Sequence, residues 1–101
     1  MSKIDYKKVW EACFGKKNQA YDYSGRLIYK SAYNDRSSKY GWNVDHIRPI
    51  SDGGTSKQCN LIASSIITND EKGDAFPHWK ANGKKFKALK ISKNCYGIVD
   101  Y

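Results

Sequence analysis

Between Gly41 and Gly73 the chain changes pattern three times, and no one regular element accommodates all three. Trp42-Asn43-Val44-Asp45-His46-Ile47 alternates large apolar with polar residues, as a half-buried strand does. Pro49 lacks a backbone donor and Ser51-Asp52-Gly53-Gly54 is a cluster of turn formers, so regular pairing must stop there. Polar Thr55 to Gln58 then lead through Cys59-Asn60 into Leu61-Ile62-Ala63-Ser64-Ser65-Ile66-Ile67, which runs out in Asn69-Asp70-Glu71-Lys72-Gly73. On a helical wheel Leu61, Ile62, Ser65, Ile66 and Asn69 share a face, so a helix is expected from about Asn60, with Gly73 as its stop. The β-branched content of the same run also admits a strand. A strand, a glycine loop and an apolar amphipathic segment, in that order, form the frame.

The flanks add simpler signals. Residues 5–14 place Tyr6, Val9, Trp10 and Cys13 at helical spacing, and Gly15 ends the pattern, so one short amphipathic helix is expected. Ser24-Gly25 before Arg26-Leu27-Ile28-Tyr29 reads as a hairpin or a strand entering a loop. Ser31 to Lys39 is polar and basic, a loop or a short helix. Asn82-Gly83, between Trp79 and Phe86-Leu89-Ile91, is a strong two-residue hairpin turn. Residues 1–101 therefore read as a single α+β domain: a motif core at about 41–73, an added N-terminal helix and a C-terminal β-hairpin.

Charge narrows the partners. Eighteen Lys and Arg against ten Asp and Glu give a net charge of +8, a field that attracts polyanions. Lys80, Lys84 and Lys85 crowd the C-terminal hairpin, where they serve either as a solvated face or as a phosphate track. Arg26, Arg36 and Arg48 are further phosphate-gripping candidates, with Arg48 the best placed. No apolar run approaches the ~20 residues that cross a bilayer, and the N-terminus lacks a signal peptide's apolar stretch, so a cytoplasmic protein with no membrane partner is expected. Cys13, Cys59 and Cys95 are widely spaced and form no CxxC pair, which argues against a thiolate zinc knuckle. In that compartment they are expected to be reduced and at least partly buried.

The chemistry concentrates at Asp45-His46, Asn60, Asn69 and Lys72. A carboxylate and an imidazole adjacent on a strand point to opposite sides and can do different work. Lys72 follows Asn69 by about one helical turn, so the two can flank one pocket. His78, outside this set, reads as a partly buried strand histidine before it reads as a ligand or a nucleic-acid contact. Tyr40, Trp42 and Trp79 read as core or rim.

The ordered combination Asp45-His46-Ile47, Pro49, Gly53-Gly54, Asn60-Leu61, then Asn69 and Lys72-Gly73, resembles the HNH, or ββα-metal, nucleases. The resemblance implies two antiparallel strands joined through the glycine loop and packed on the helix. It implies His46 as the general base, Asp45 and Asn69 as metal ligands, Asn60 as the residue whose hydrogen bonds hold the loop, and Lys72 as a phosphate contact. Asn69 stands where many members of the family carry a third histidine. Two oxygen donors suit Mg²⁺ or Mn²⁺ ahead of Zn²⁺ or Ni²⁺.

The function so implied is a metal-dependent endonuclease that hydrolyses phosphodiester bonds, double-stranded DNA being the foremost substrate and the protein a monomer or homodimer. A catalytically weak HNH-like module that binds nucleic acid or inhibits another protein is the alternative. A basic RNA-binding domain without catalysis would leave Asp45-His46 unexplained.

Overall fold

Asp5 accepts hydrogen bonds from the backbone N–H groups of Lys7 and Lys8 and so caps helix α1 (Tyr6–Phe14). The computed structural model describes residues 4–101, and within them the chain is an α+β fold of two α-helices and three small antiparallel sheets. A short hairpin follows α1, with β1 (Gln19–Tyr21) paired to β2 (Leu27–Tyr29) across the Ser24-Gly25 turn. Ser31 to Lys39 forms turns and one 3-10 turn, Lys30–Ala32.

The middle of the chain carries β3 (Trp42–His46), antiparallel to β4 (Leu61–Ser65), and then helix α2 (Ile66–Lys72). Here the structure departs from the helix expected to start near Asn60. Residues 61–65 are a strand, and the helix begins only at Ile66, with Ser65 as its cap. A short apolar β-branched run fits either period on local grounds. Pairing with β3 across the whole length from Trp42–Ser65 to His46–Leu61 resolves it as strand. Gly73, with φ 53°, terminates α2 at the position its sequence predicts.

The β3–β4 hairpin lies between the two helices. Alternation puts Trp42, Val44, Leu61 and Ala63 on one face, where they pack on Val9 and Trp10 of α1 together with Ile28. The Trp10 and Trp42 rings stand 4.9 Å apart. The opposite face presents Asn43, Asp45 and Ser64 to α2.

The last third forms a three-stranded sheet of β5 (His78–Ala81), β6 (Lys84–Ser92) and β7 (Cys95–Asp100), in that spatial order. Asn82 and Gly83 both take positive φ, 51° and 73°, as a two-residue hairpin loop of mirror-image type requires. β7 extends the expected hairpin to a third strand. Trp79, Ala81 and Phe86 bury the inner face of this sheet against Tyr23.

The cysteines depart from expectation. Cys59, just before Asn60, forms a disulfide with Cys95 at the start of β7, their Cα atoms 4.8 Å apart, and Cys13 is a free, exposed thiol. Only the tertiary fold brings the loop before β4 to the first residue of β7. The bond closes a sequence separation of 36 residues, so its reduction or the Cys59→Ala, Cys95→Ala double replacement is expected to lower the unfolding free energy by about 2–4 kcal/mol. Urea unfolding with and without dithiothreitol reads this as a drop in midpoint. No helix among the described residues is long and apolar enough to cross a membrane.

Candidate functional site

The loop between β3 and β4 is closed by one side chain. Asn60 is fully buried, and its Oδ1 accepts from the Arg48 N–H at 2.9 Å. Its Nδ2 donates to the carbonyls of Arg48, at 3.1 Å, and Thr55, at 2.7 Å. Three hydrogen bonds from one amide thus tie the chain leaving β3 to the chain entering β4. Gly54 has to be glycine for the same closure, because a Cβ there would overlap the Arg48 carbonyl oxygen that Asn60 binds. Tying the loop fixes the end of β3, where Asp45 and His46 stand.

His46 is half-buried, and its Nε2 lies 2.9 Å from the Ser56 hydroxyl across the loop. Burial lowers its pKa below the ordinary 6.5, the Lys72 charge lowers it further, and the Asp45 carboxylate opposes both. Asp45 leaves the strand on the other side, toward α2. Burial raises its carboxyl above the usual carboxylate range, and the Lys72 ammonium, 3.6 Å from Oδ2, pulls it back. Among the described residues, Oδ2 is the one buried side-chain oxygen or nitrogen with no hydrogen-bond partner.

Asn69 and Lys72, one turn apart on α2, both face β3. The Asn69 amide donates to Asn43 Oδ1, and its own Oδ1 accepts from the Ser64 hydroxyl. Lys72, expected to contact phosphate, has a side chain only 1% exposed. Its ammonium reaches Asp45, donates to the His46 carbonyl at 3.3 Å and lies 5.1 Å from the centroid of the Trp79 ring. A buried ammonium held by carboxylate, carbonyl and indole positions the strand end rather than meeting a ligand. The apolar ring of Trp79 and the closeness of α2 to β5 impose this burial, which the position of a lysine near a helix end does not reveal.

The other candidates separate from this cluster. Arg48 gives its guanidinium to Asp52 and to the Tyr96 hydroxyl. Arg26 pairs with Glu71 and Arg36 with Asp70. His78 is exposed on β5 instead of partly buried. Lys80, Lys84 and Lys85 are exposed on the C-terminal sheet, and among the described contacts none of them bonds to Asp45, His46, Asn69 or Lys72. The residues that sequence reasoning missed are Ser56, Asn43 and Ser64, which hold His46 and Asn69. Ser64 and Asn43 are directly paired across β3 and β4, so the register signals them once the strand assignment is right.

The chain matches no family model, no curated protein and no solved structure.

The donor set can be tested against a divalent ion on its own chemistry. The described residues hold no group of three or more His, Cys, Asp and Glu side chains suited to a metal. Asp45 Oδ2, which makes no hydrogen bond among the described residues, is a hard oxygen donor, and the Asn69 amide oxygen on α2 is a second, at present bonded to the Ser64 hydroxyl. These are hard oxygen donors and not the nitrogen and sulfur ligands of a tetrahedral zinc, and the Lys72 ammonium already stands 3.6 Å from Oδ2.

Proposed function

We propose that this chain is an HNH-like, metal-dependent endonuclease acting on the phosphodiester bonds of DNA, with the β3–loop–β4–α2 unit as its ββα-metal core. The observation that carries the reading is the buried Oδ2 of Asp45, which makes no hydrogen bond among the described residues and faces the Lys72 ammonium, on the residue before a histidine that the loop holds and whose pKa burial lowers. In this reading Asp45 and Asn69 hold Mg²⁺ or Mn²⁺, Zn²⁺ and Ni²⁺ being poorer fits. The bound ion would neutralise charge on the phosphate and on the leaving oxygen.

The chain's own residues supply the rest. In the tautomer whose Nε2–H is donated to Ser56, Nδ1 of His46 carries the lone pair that would accept a proton from the attacking water. Asn60 keeps the loop closed so that the ring stays aimed. Lys72 neutralises Asp45 in part and, through the His46 carbonyl, holds the strand end in place. The net charge of +8 supplies sequence-independent attraction to the polyanion. The substrate proposed first is double-stranded DNA, cut by a monomer or by a homodimer acting on two strands.

Supercoiled plasmid incubated with the protein in Mg²⁺ or Mn²⁺ is expected to convert to nicked or linear form, and EDTA to abolish the conversion. One observation favours a second reading. The Lys72 ammonium already offsets the charge on Asp45, as it would in a catalytically weak module that binds nucleic acid or inhibits a protein. That reading predicts salt-sensitive DNA binding with no cleavage in any metal. A cytoplasmic location is the proposed one, and the Cys59–Cys95 disulfide, a bond that persists chiefly in oxidising compartments, is the observation that counts against it.

A further inference from the structure

The C-terminal sheet has an outer face on which His78, Lys80, Lys85, Leu89 and Tyr101 are exposed. Alternation along β5 and β6 buries Trp79, Ala81 and Phe86 and turns His78, Lys80, Lys85 and Lys87 outward. The register sets Lys80 directly opposite Lys85, and His78 directly opposite Lys87. Lys80 and Lys85 are like charges directly opposed across the sheet, which is destabilising unless something neutralises them. Nothing in the described chain does. The face is completed by Leu89, Gly97, Val99 and Tyr101, with no Asp or Glu among them. The four ion pairs among the described residues use Arg26, Arg36, Arg48 and Lys72, and none uses Lys80, Lys85 or Lys87.

The aromatic rings on this face order the cations. Tyr101 is 60% exposed, its ring centroid lies 5.5 Å from that of His78, and the Lys87 ammonium sits 5.8 Å from the same ring. Lys84 does not belong to the set. It alternates to the opposite side of β6, and its ammonium reaches the Ser24 carbonyl at 3.4 Å.

We propose that the outer face of the β5–β6–β7 sheet, through Lys80, Lys85 and Lys87, is a docking surface for the phosphodiester backbone of a nucleic acid, separate from the Asp45 cluster. Three ammonium groups without a carboxylate partner among the described residues, on one face of the sheet, meet phosphates without reading base identity. The inference rests on the nucleic-acid substrate class proposed above, but not on catalysis.

The test is fluorescence anisotropy of a labelled 20-base-pair duplex in EDTA across a salt series. It compares the wild type, the Lys80→Ala, Lys85→Ala, Lys87→Ala triple variant, and a Lys7→Ala, Lys8→Ala, Lys16→Ala control that removes the same charge from exposed positions near α1. The sheet variant is expected to lower the slope of log K against log salt by about 3, roughly one per lysine, with the control near the wild type. Equal losses in both variants would mean a general field and overturn the site, as would an unchanged slope in the sheet variant. Polyglutamate of matched charge displacing the duplex as well as unlabelled duplex does would overturn the assignment to nucleic acid. Because binding is read without metal, a protein that binds in this way but never cleaves refutes the nuclease proposal and leaves this surface standing.

Discussion

Replacing His46 with alanine is expected to slow metal-dependent plasmid cleavage by about 10²- to 10⁴-fold, the usual worth of a general base, while duplex binding stays near wild type. The separation follows from where the ring sits. It is half-buried at the end of β3 and makes its one side-chain hydrogen bond to the exposed Ser56, whereas the loop is closed by Asn60 through backbone groups. Removing the imidazole therefore leaves the closure intact. Ser56→Ala, which removes only the aiming partner, should cost less than His46→Ala and show in the rate rather than in binding.

The pH profile carries the same assignment. A base must be deprotonated to act, and burial lowers the pKa of His46 from 6.5. The midpoint of the decline in activity on the acid side should therefore lie below pH 6.5, where the folded-state pKa is crossed. Plasmid nicking across a pH series measures this directly. Cleavage unaffected by His46→Ala would sink the assignment, and loss of binding together with cleavage would make the histidine structural.

Asp22→Ala is expected to destabilise the fold by about 3–5 kcal/mol, the scale seen when a buried charge network loses one partner. Asp22 is 4% exposed and lies at the β1–β2 turn. Its Oδ1 accepts from the N–H and hydroxyl of Ser24 and from the N–H of Arg26, at 2.7 to 2.9 Å. Its Oδ2 accepts from the Ser65 N–H at 3.0 Å and the Thr68 hydroxyl at 2.7 Å. Ser24, Ser65 and Thr68 are themselves buried, so alanine would strand several donors with no water to replace the carboxylate.

The consequence reaches the candidate site. Ser65 is the cap of α2, and the helix carries Asn69 and Lys72, so Asp22 anchors the element that faces Asp45. For a domain of about 100 residues a loss of that size moves Tm down by more than about 10 °C. Asp22→Asn, which keeps one acceptor oxygen but turns an NH₂ toward existing donors, should fall between wild type and alanine. Thermal melting checks the series, and a loss below about 1 kcal/mol for Asp22→Ala would refute the network as a structural anchor.

What the residue order alone determined is local. Helix α1 is written in the spacing of Val9 and Trp10 and in the stop after Phe14, and the β5–β6 turn in Asn82-Gly83. The loop after β3 is written in Pro49 and Gly53-Gly54, and the end of α2 in Gly73. Each signal acts within a few residues, through a cap, a fixed φ or a side-chain period, so no distant partner is needed to read it. Asp45-His46 on a strand is legible for the same reason, whereas Asn60 reads locally as a helix start and its loop-holding role came only from the HNH resemblance.

The rest required the tertiary fold. Residues 61–65 became a strand because β3 offered a ladder that the local β-branched run could not announce. Cys59 met Cys95, Lys72 sank beneath Trp79, and Asp22 found Ser65 and Thr68 because the hairpin, helix and C-terminal sheet close on one another. Lys80 came to face Lys85 only through the β5–β6 register. Burial, charge pairing and disulfide formation depend on which distant segments share a surface, and that is settled when the chain packs.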